Sequence, residues 1–166
     1  MENFVVTALL AAIAGLAGLV IGRFWDSRSE SARWRRDLRV RSYEDVAKEF
    51  YHHRALIQGC SALPVDSSEK EKAVRVLSEH HAVWNQQLTA LWIHGSESAA
   101  TTAYSLDHEM SALRRTAIRE QIPFSSWHLR REPVQQAFDD YLDAVRADLS
   151  LPALQVLRSN SPDRIS

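Results

Sequence analysis

Residues 4–22 read FVVTALLAAIAGLAGLVIG, nineteen positions without a charge and with Thr7 as the only hydroxyl. No other stretch limits the fold so severely. As a helix rising about 1.5 Å per residue it spans about 28 Å, close to the hydrocarbon thickness of a bilayer. A cleaved signal peptide wants a basic start and a small-residue cleavage site. This chain starts Met-Glu-Asn, and its apolar run continues past the small residues to Ile21. A core helix would carry a polar face, and this segment has none. The expectation is a retained transmembrane helix within residues 1–23.

The residues that follow set its direction. No Lys or Arg precedes Arg23, and seven Arg fall between Arg23 and Arg41. Basic residues flanking a membrane helix mark its cytoplasmic side. The N-terminus is therefore expected outside the plasma (inner) membrane and the remainder in the cytosol. Phe24 and Trp25 fall at headgroup level, where aromatic rings settle. Arg23, Arg28, Arg33, Arg35 and Arg36, with Trp25, are the expected topology and lipid residues, each Arg contributing about 1 kcal/mol when close to anionic lipid. Inside the span, Ala14, Gly18 and Gly22 form a small-residue row, with Ala11 and Gly15 beside it. Such rows let two membrane helices pair closely.

Charge is unevenly placed. Residues 23–41 carry a net +4 and residues 42–166 a net −4, within a chain of −1. That balance argues against general nucleic-acid binding, and membrane lipid is the nearer partner of the arginines. The single cysteine, Cys60, excludes an internal disulfide and reads as a small core residue.

Beyond the anchor the sequence is helical throughout. Five Gly and five Pro in 166 residues, with 45% hydrophobic and 25% charged composition, favour long regular elements around a packed core. The first segment carries Trp34, Leu38, Val46, Phe50, His53, Ile57 and Cys60 on one stripe, with residues 24–45 read as a basic stalk. Leu63-Pro64 ends it. The second starts at a cap on Asp66 or Ser67 with Glu69 and Glu71 in its first turn, carries Ala73, Leu77, Trp84, Leu88 and Leu91, and stops at Gly95. The third follows GSES with Ala103, Leu106, Met110, Leu113 and Ala117, and ends at Ile122-Pro123. FSSWHLRREP reads as a connector, with Pro133 opening a last helix on Val134, Phe138, Tyr141, Val145 and Leu149. Residues 153–166 read as a flexible tail. The expected fold is all-α: one membrane helix, then a cytosolic antiparallel bundle of about four helices over residues 46–152.

Candidate chemistry rests on histidines. His52-His53, His80-His81 and Asp107-His108 fall near the middles of three successive helices, and antiparallel packing brings those levels together. Glu49 and His52 form an ExxH, a spacing used by carboxylate-bridged di-iron bundles. The second ExxH is missing, with Glu79 beside His80 and Asp107 or Glu109 as the acids of the third helix. Glu49, His52, His53, His80, His81 and His108 are the metal candidates. A core-bordering histidine is more often structural, so the expectation is no cofactor and no enzymatic activity. A pair of imidazoles that resist simultaneous protonation is a further use. No glycine-rich phosphate loop, CxxC or GxSxG is present.

In outline the chain resembles the b subunit of rotary ATP synthases, with one N-terminal membrane helix and a helical cytoplasmic part. It departs from that family at Pro64, Pro123, Pro133 and Pro152, which cut the chain, and in its five Trp, which imply a compact core. Phage spanins also join a membrane helix to further helices, but outside the cytosol, against the arginine distribution. The layout is similar to small bacterial single-pass membrane proteins with an Arg/Trp-rich juxtamembrane helix, a resemblance that carries no functional residue over. The functional expectation is a membrane-tethered interaction or adaptor module that binds a protein partner or its own copy, with no small-molecule substrate. The alternatives are a metal-dependent or enzymatic bundle and a membrane-active effector or immunity protein.

Overall fold

The computed structural model describes the backbone of residues 2–152 and the side chains of residue 30 and residues 32–152. Among them are four helices and no strand: α1 (Glu2–Ala62), α2 (Ser68–His94), α3 (Glu97–Arg119) and α4 (Phe124–Asp148). The chain divides into two units, residues 1–40 and 41–166. In the first unit the expected span 4–22, its pairing row Ala14, Gly18 and Gly22, and Arg23, Trp25 and Arg28 lie outside the described side chains. So does the expected tail 153–166. Among the described residues no helix is long and apolar enough to cross a membrane. Arg33, Trp34, Arg35 and Arg36 are exposed, so Trp34 joins no core stripe.

The second unit is an antiparallel four-helix bundle made of residues 41–62 of α1 together with α2, α3 and α4. From Val46 onward each stripe of the sequence turns inward, with Ala73 and Leu149 partly buried at its margin. The core comprises Val46, Phe50, Ile57 and Cys60 of α1, Leu77, Trp84, Leu88 and Leu91 of α2, Ala103, Leu106, Met110 and Leu113 of α3, and Val134, Phe138, Tyr141 and Val145 of α4. Small residues decide where backbones come closest. α3 and α4 pack along their lengths, with Ala99, Ala103, Ala117 and Ala137 buried on them. α1 meets α4 through large rings, Phe50 stacked on Phe138 with centroids 3.8 Å apart and planes within 4°.

Each end of the bundle is closed by one polar side chain. At the first end the Tyr43 hydroxyl accepts a hydrogen bond from the Ser96 backbone N–H at 2.8 Å and donates to Asp148 Oδ2 at 2.8 Å. The Tyr141 hydroxyl donates to the Tyr43 carbonyl at 3.1 Å. The packed unit thus begins at Ser42 and Tyr43, both buried, four residues before the apolar stripe resumes at Val46. The α2–α3 junction folds over Tyr43. A Cβ at Gly95 would sit 2.6 Å from the Leu91 carbonyl oxygen and 3.2 Å from the Tyr43 ring, so glycine is required by close approach alone. Ser67 and Ser96 cap α2 and α3, accepting from the Lys70 and Ala99 backbone N–H groups.

At the opposite end Lys70, 2% exposed, donates to the carbonyls of Ala117 at 2.6 Å, Glu120 at 3.0 Å and Leu63 at 3.4 Å. All three of its donors meet carbonyls at the ends of α1 and α3, which have no partner within their own helices. A positive charge there also suits the negative ends of both helix dipoles. The Ile122 N–H donates to the Ser61 carbonyl at 2.8 Å, tying the α3–α4 junction to the end of α1.

The last helix differs from its expected start. Residues 124–132 are helical, and Pro133 lies inside α4. Trp127, buried, gives those added turns an apolar anchor. The kink-prone proline sits on the exposed side, where water can satisfy the carbonyl one turn back that loses its N–H partner.

Candidate functional site

Halfway along the bundle, α1 and α2 face each other through histidines rather than aliphatic side chains. Glu49 and His53 are four residues apart on α1 and therefore share a face. His80 projects from α2 against them, its Nε2 in short contact with Glu49 Oε1. His53 is the deepest of the set, 1% exposed, and stacks on Trp84 with ring centroids 5.7 Å apart and planes within 12°. His80 and His81 flank it at centroid distances of 5.7 and 5.8 Å. Trp84 in turn donates through Nε1 to Asp107 Oδ1 of α3 at 2.7 Å, so three helices contribute to this level.

The structure sorts the expected residues by their angle around each helix. Successive helical positions turn by 100°, so the ExxH pair Glu49–His52 gives way to the i,i+4 pair Glu49–His53. His52 is exposed, its ring lying 4.2 Å from that of His80 at the rim. His81 is half-buried on the far side of His53. His108 is exposed and Asp107 serves as the Trp84 acceptor, so neither joins Glu49. Arg114 of α3 was not among the expected residues. It acts electrostatically on both His53 and His81, and its presence was not readable because the sequence shows it only as one of two adjacent arginines beside the α3 stripe.

Burial and charge leave His53 uncharged. Desolvation, followed by the nearby His81, His80, Arg114 and His52, pushes its pKa down from 6.5 to about 3. Burial and Arg114 also lower that of His81, against the opposing pull of Asp107. Both ring nitrogens of His53, Nδ1 of His81 and Nε of Arg114 are buried and have no hydrogen-bond partner among the described residues. Each such group costs about 1–3 kcal/mol, so a shape-matched leucine at position 53 would stabilise the core. The arrangement sets ring nitrogens of two imidazoles beside a carboxyl group. Its chemistry is that of a ligand set for a cation. Comparison with protein-family models, with characterised proteins and with solved structures gives no match.

Proposed function

We propose that this chain is a single-pass, membrane-tethered helical module that acts by binding, with its N-terminus outside and its bundle in the cytosol. The observation that carries the reading is a division of labour along one chain. A nineteen-residue uncharged run and six arginines precede a bundle whose buried core draws on four helices of the same chain. A bundle closed in itself does not need the anchor to complete its core. The anchor's contribution is place, because confinement at a surface raises the effective concentration of the bundle near its partners. Ala14, Gly18 and Gly22 supply a face through which two anchors can pair.

In-cell cross-linking of the full chain, followed by mass spectrometry of the membrane fraction, tests this. A recurrent protein partner or a cross-linked dimer supports a binding module. Uncross-linked monomer alone, under conditions that capture known membrane complexes, contradicts it. Gly18→Ile with Gly22→Ile tests the pairing face, which predicts loss of the dimer but not of the membrane association.

The metal-dependent alternative has its own observation behind it. Among the described residues His53 has no hydrogen-bond partner, in a core where an apolar residue would serve better, and tethering does not account for it.

A further inference from the structure

We infer that Glu49, His53 and His80 form a binding site for a single divalent transition-metal ion of the zinc class. One ligand atom from each residue lies within 4.8 Å of the other two. Zinc bonded at about 2.0–2.2 Å to nitrogen and oxygen holds tetrahedral ligands about 3.4 Å apart. Closing the site therefore takes rotamer-scale movement and no change in the helices.

The donor set suits that ion class. The two imidazoles are borderline ligands that suit zinc and its first-row neighbours, zinc also accepts the carboxylate, and calcium and magnesium favour all-oxygen sites. The placement is also asymmetric in a useful way. His53 is 1% exposed, while the Glu49 and His80 side chains are 13% and 14% exposed. An ion can enter past the rim and be held by the buried imidazole at the back. Three protein ligands leave a fourth position for water or an anion.

A plain ion pair between Glu49 and His80 explains those two residues but not the third. Buried polar groups in native proteins are satisfied, and an exception asks for a bound water or ion. Among the described residues His53 is such an exception at both ring nitrogens, one of which the ion would take. Buried behind Glu49 and His80, it offers a ring nitrogen that no other described group uses. Arg114 opposes the gain of positive charge. The Glu49 carboxylate offsets this directly, and an anion in the fourth position would offset it further. The proposal is independent of the tether: its failure leaves membrane association and partner binding untouched.

The test uses the full chain without a histidine tag, purified in detergent and stripped with chelator. Zinc and cobalt are then titrated while bound metal, thermal unfolding and the visible cobalt spectrum are followed. The expected results are one equivalent per chain, a rise in Tm and a tetrahedral cobalt band. His80→Gln and His53→Leu should each weaken binding more than about 100-fold, and His53→Leu keeps the apo core filled. His108→Gln and His128→Gln, both at exposed residues, should bind as the wild type does. Less than about a tenth of an equivalent on the wild type overturns the proposal. So does stoichiometric binding that survives both His53→Leu and His80→Gln.

Discussion

His53 shows how one side chain can set both stability and its pH dependence. Its imidazole titrates near 6.5 when unfolded and near 3 in the fold. Between those values the unfolded chain binds a proton that the native chain refuses. The stability held by the neutral ring is therefore complete above pH 6.5 and declines as pH falls toward 3, by about 1.4 kcal/mol per pH unit. In chelator, His53→Leu should unfold at an equal or higher urea concentration at pH 7, since it removes an unsatisfied buried group. Its loss of stability from pH 7 to pH 5 should be shallower than that of the wild type, with His81 supplying part of what remains. Identical pH slopes in the two proteins would contradict the account. Lys70 is the opposite case, a buried polar head with every donor used. Lys70→Met keeps the stem and removes three hydrogen bonds to helix-end carbonyls, with an expected loss of about 1–3 kcal/mol in chemical denaturation.

At the scale of elements, the joints carry the specificity. Gly95→Ala places a Cβ against the Leu91 carbonyl and the Tyr43 ring and should cost about 1–3 kcal/mol. Tyr43→Phe removes the acceptor of the Ser96 N–H and the donor to Asp148, with an expected loss of about 1–2 kcal/mol. Thermal unfolding of the two variants checks both values, and an unchanged Tm in either would contradict the reading of that joint. The helices themselves were legible because their apolar residues keep a 3–4 spacing, which survives any packing partner. Leu77, Trp84, Leu88 and Leu91 are buried as that spacing requires, and so are Ala103, Leu106, Met110 and Leu113. The positions of the joints were legible, with Ser67 capping α2 and Gly95 ending it, but the long-range partners that close them were not. Lys70 and Tyr43 matter through partners 47 and 53 residues away, and no local pattern marks a lysine that will be buried. Pro133 read as a helix start because proline is tolerated there, whereas Trp127 pulls the preceding turns into the helix. At the site the meeting of histidine levels followed from antiparallel order. The choice of His53 over His52 followed from 100° of rotation that an ExxH match ignores.

For the whole molecule, charge and hydropathy distribution carry the argument. An uncharged run and a basic segment precede an acidic remainder, with +4 over 23–41 against −4 over 42–166. In the proposed topology the positive segment would face an anionic leaflet and the negative bundle would be repelled from it, leaving the bundle surface free for the proposed partners. The most direct measurement is membrane association with topology. The full chain carries a C-terminal epitope, its membranes are washed in alkaline carbonate, and protease is added to right-side-out and inside-out vesicles. The account predicts that the protein stays with the membrane and that the epitope is cut only in inside-out vesicles. Release by carbonate, or cleavage of the epitope in right-side-out vesicles, would contradict it.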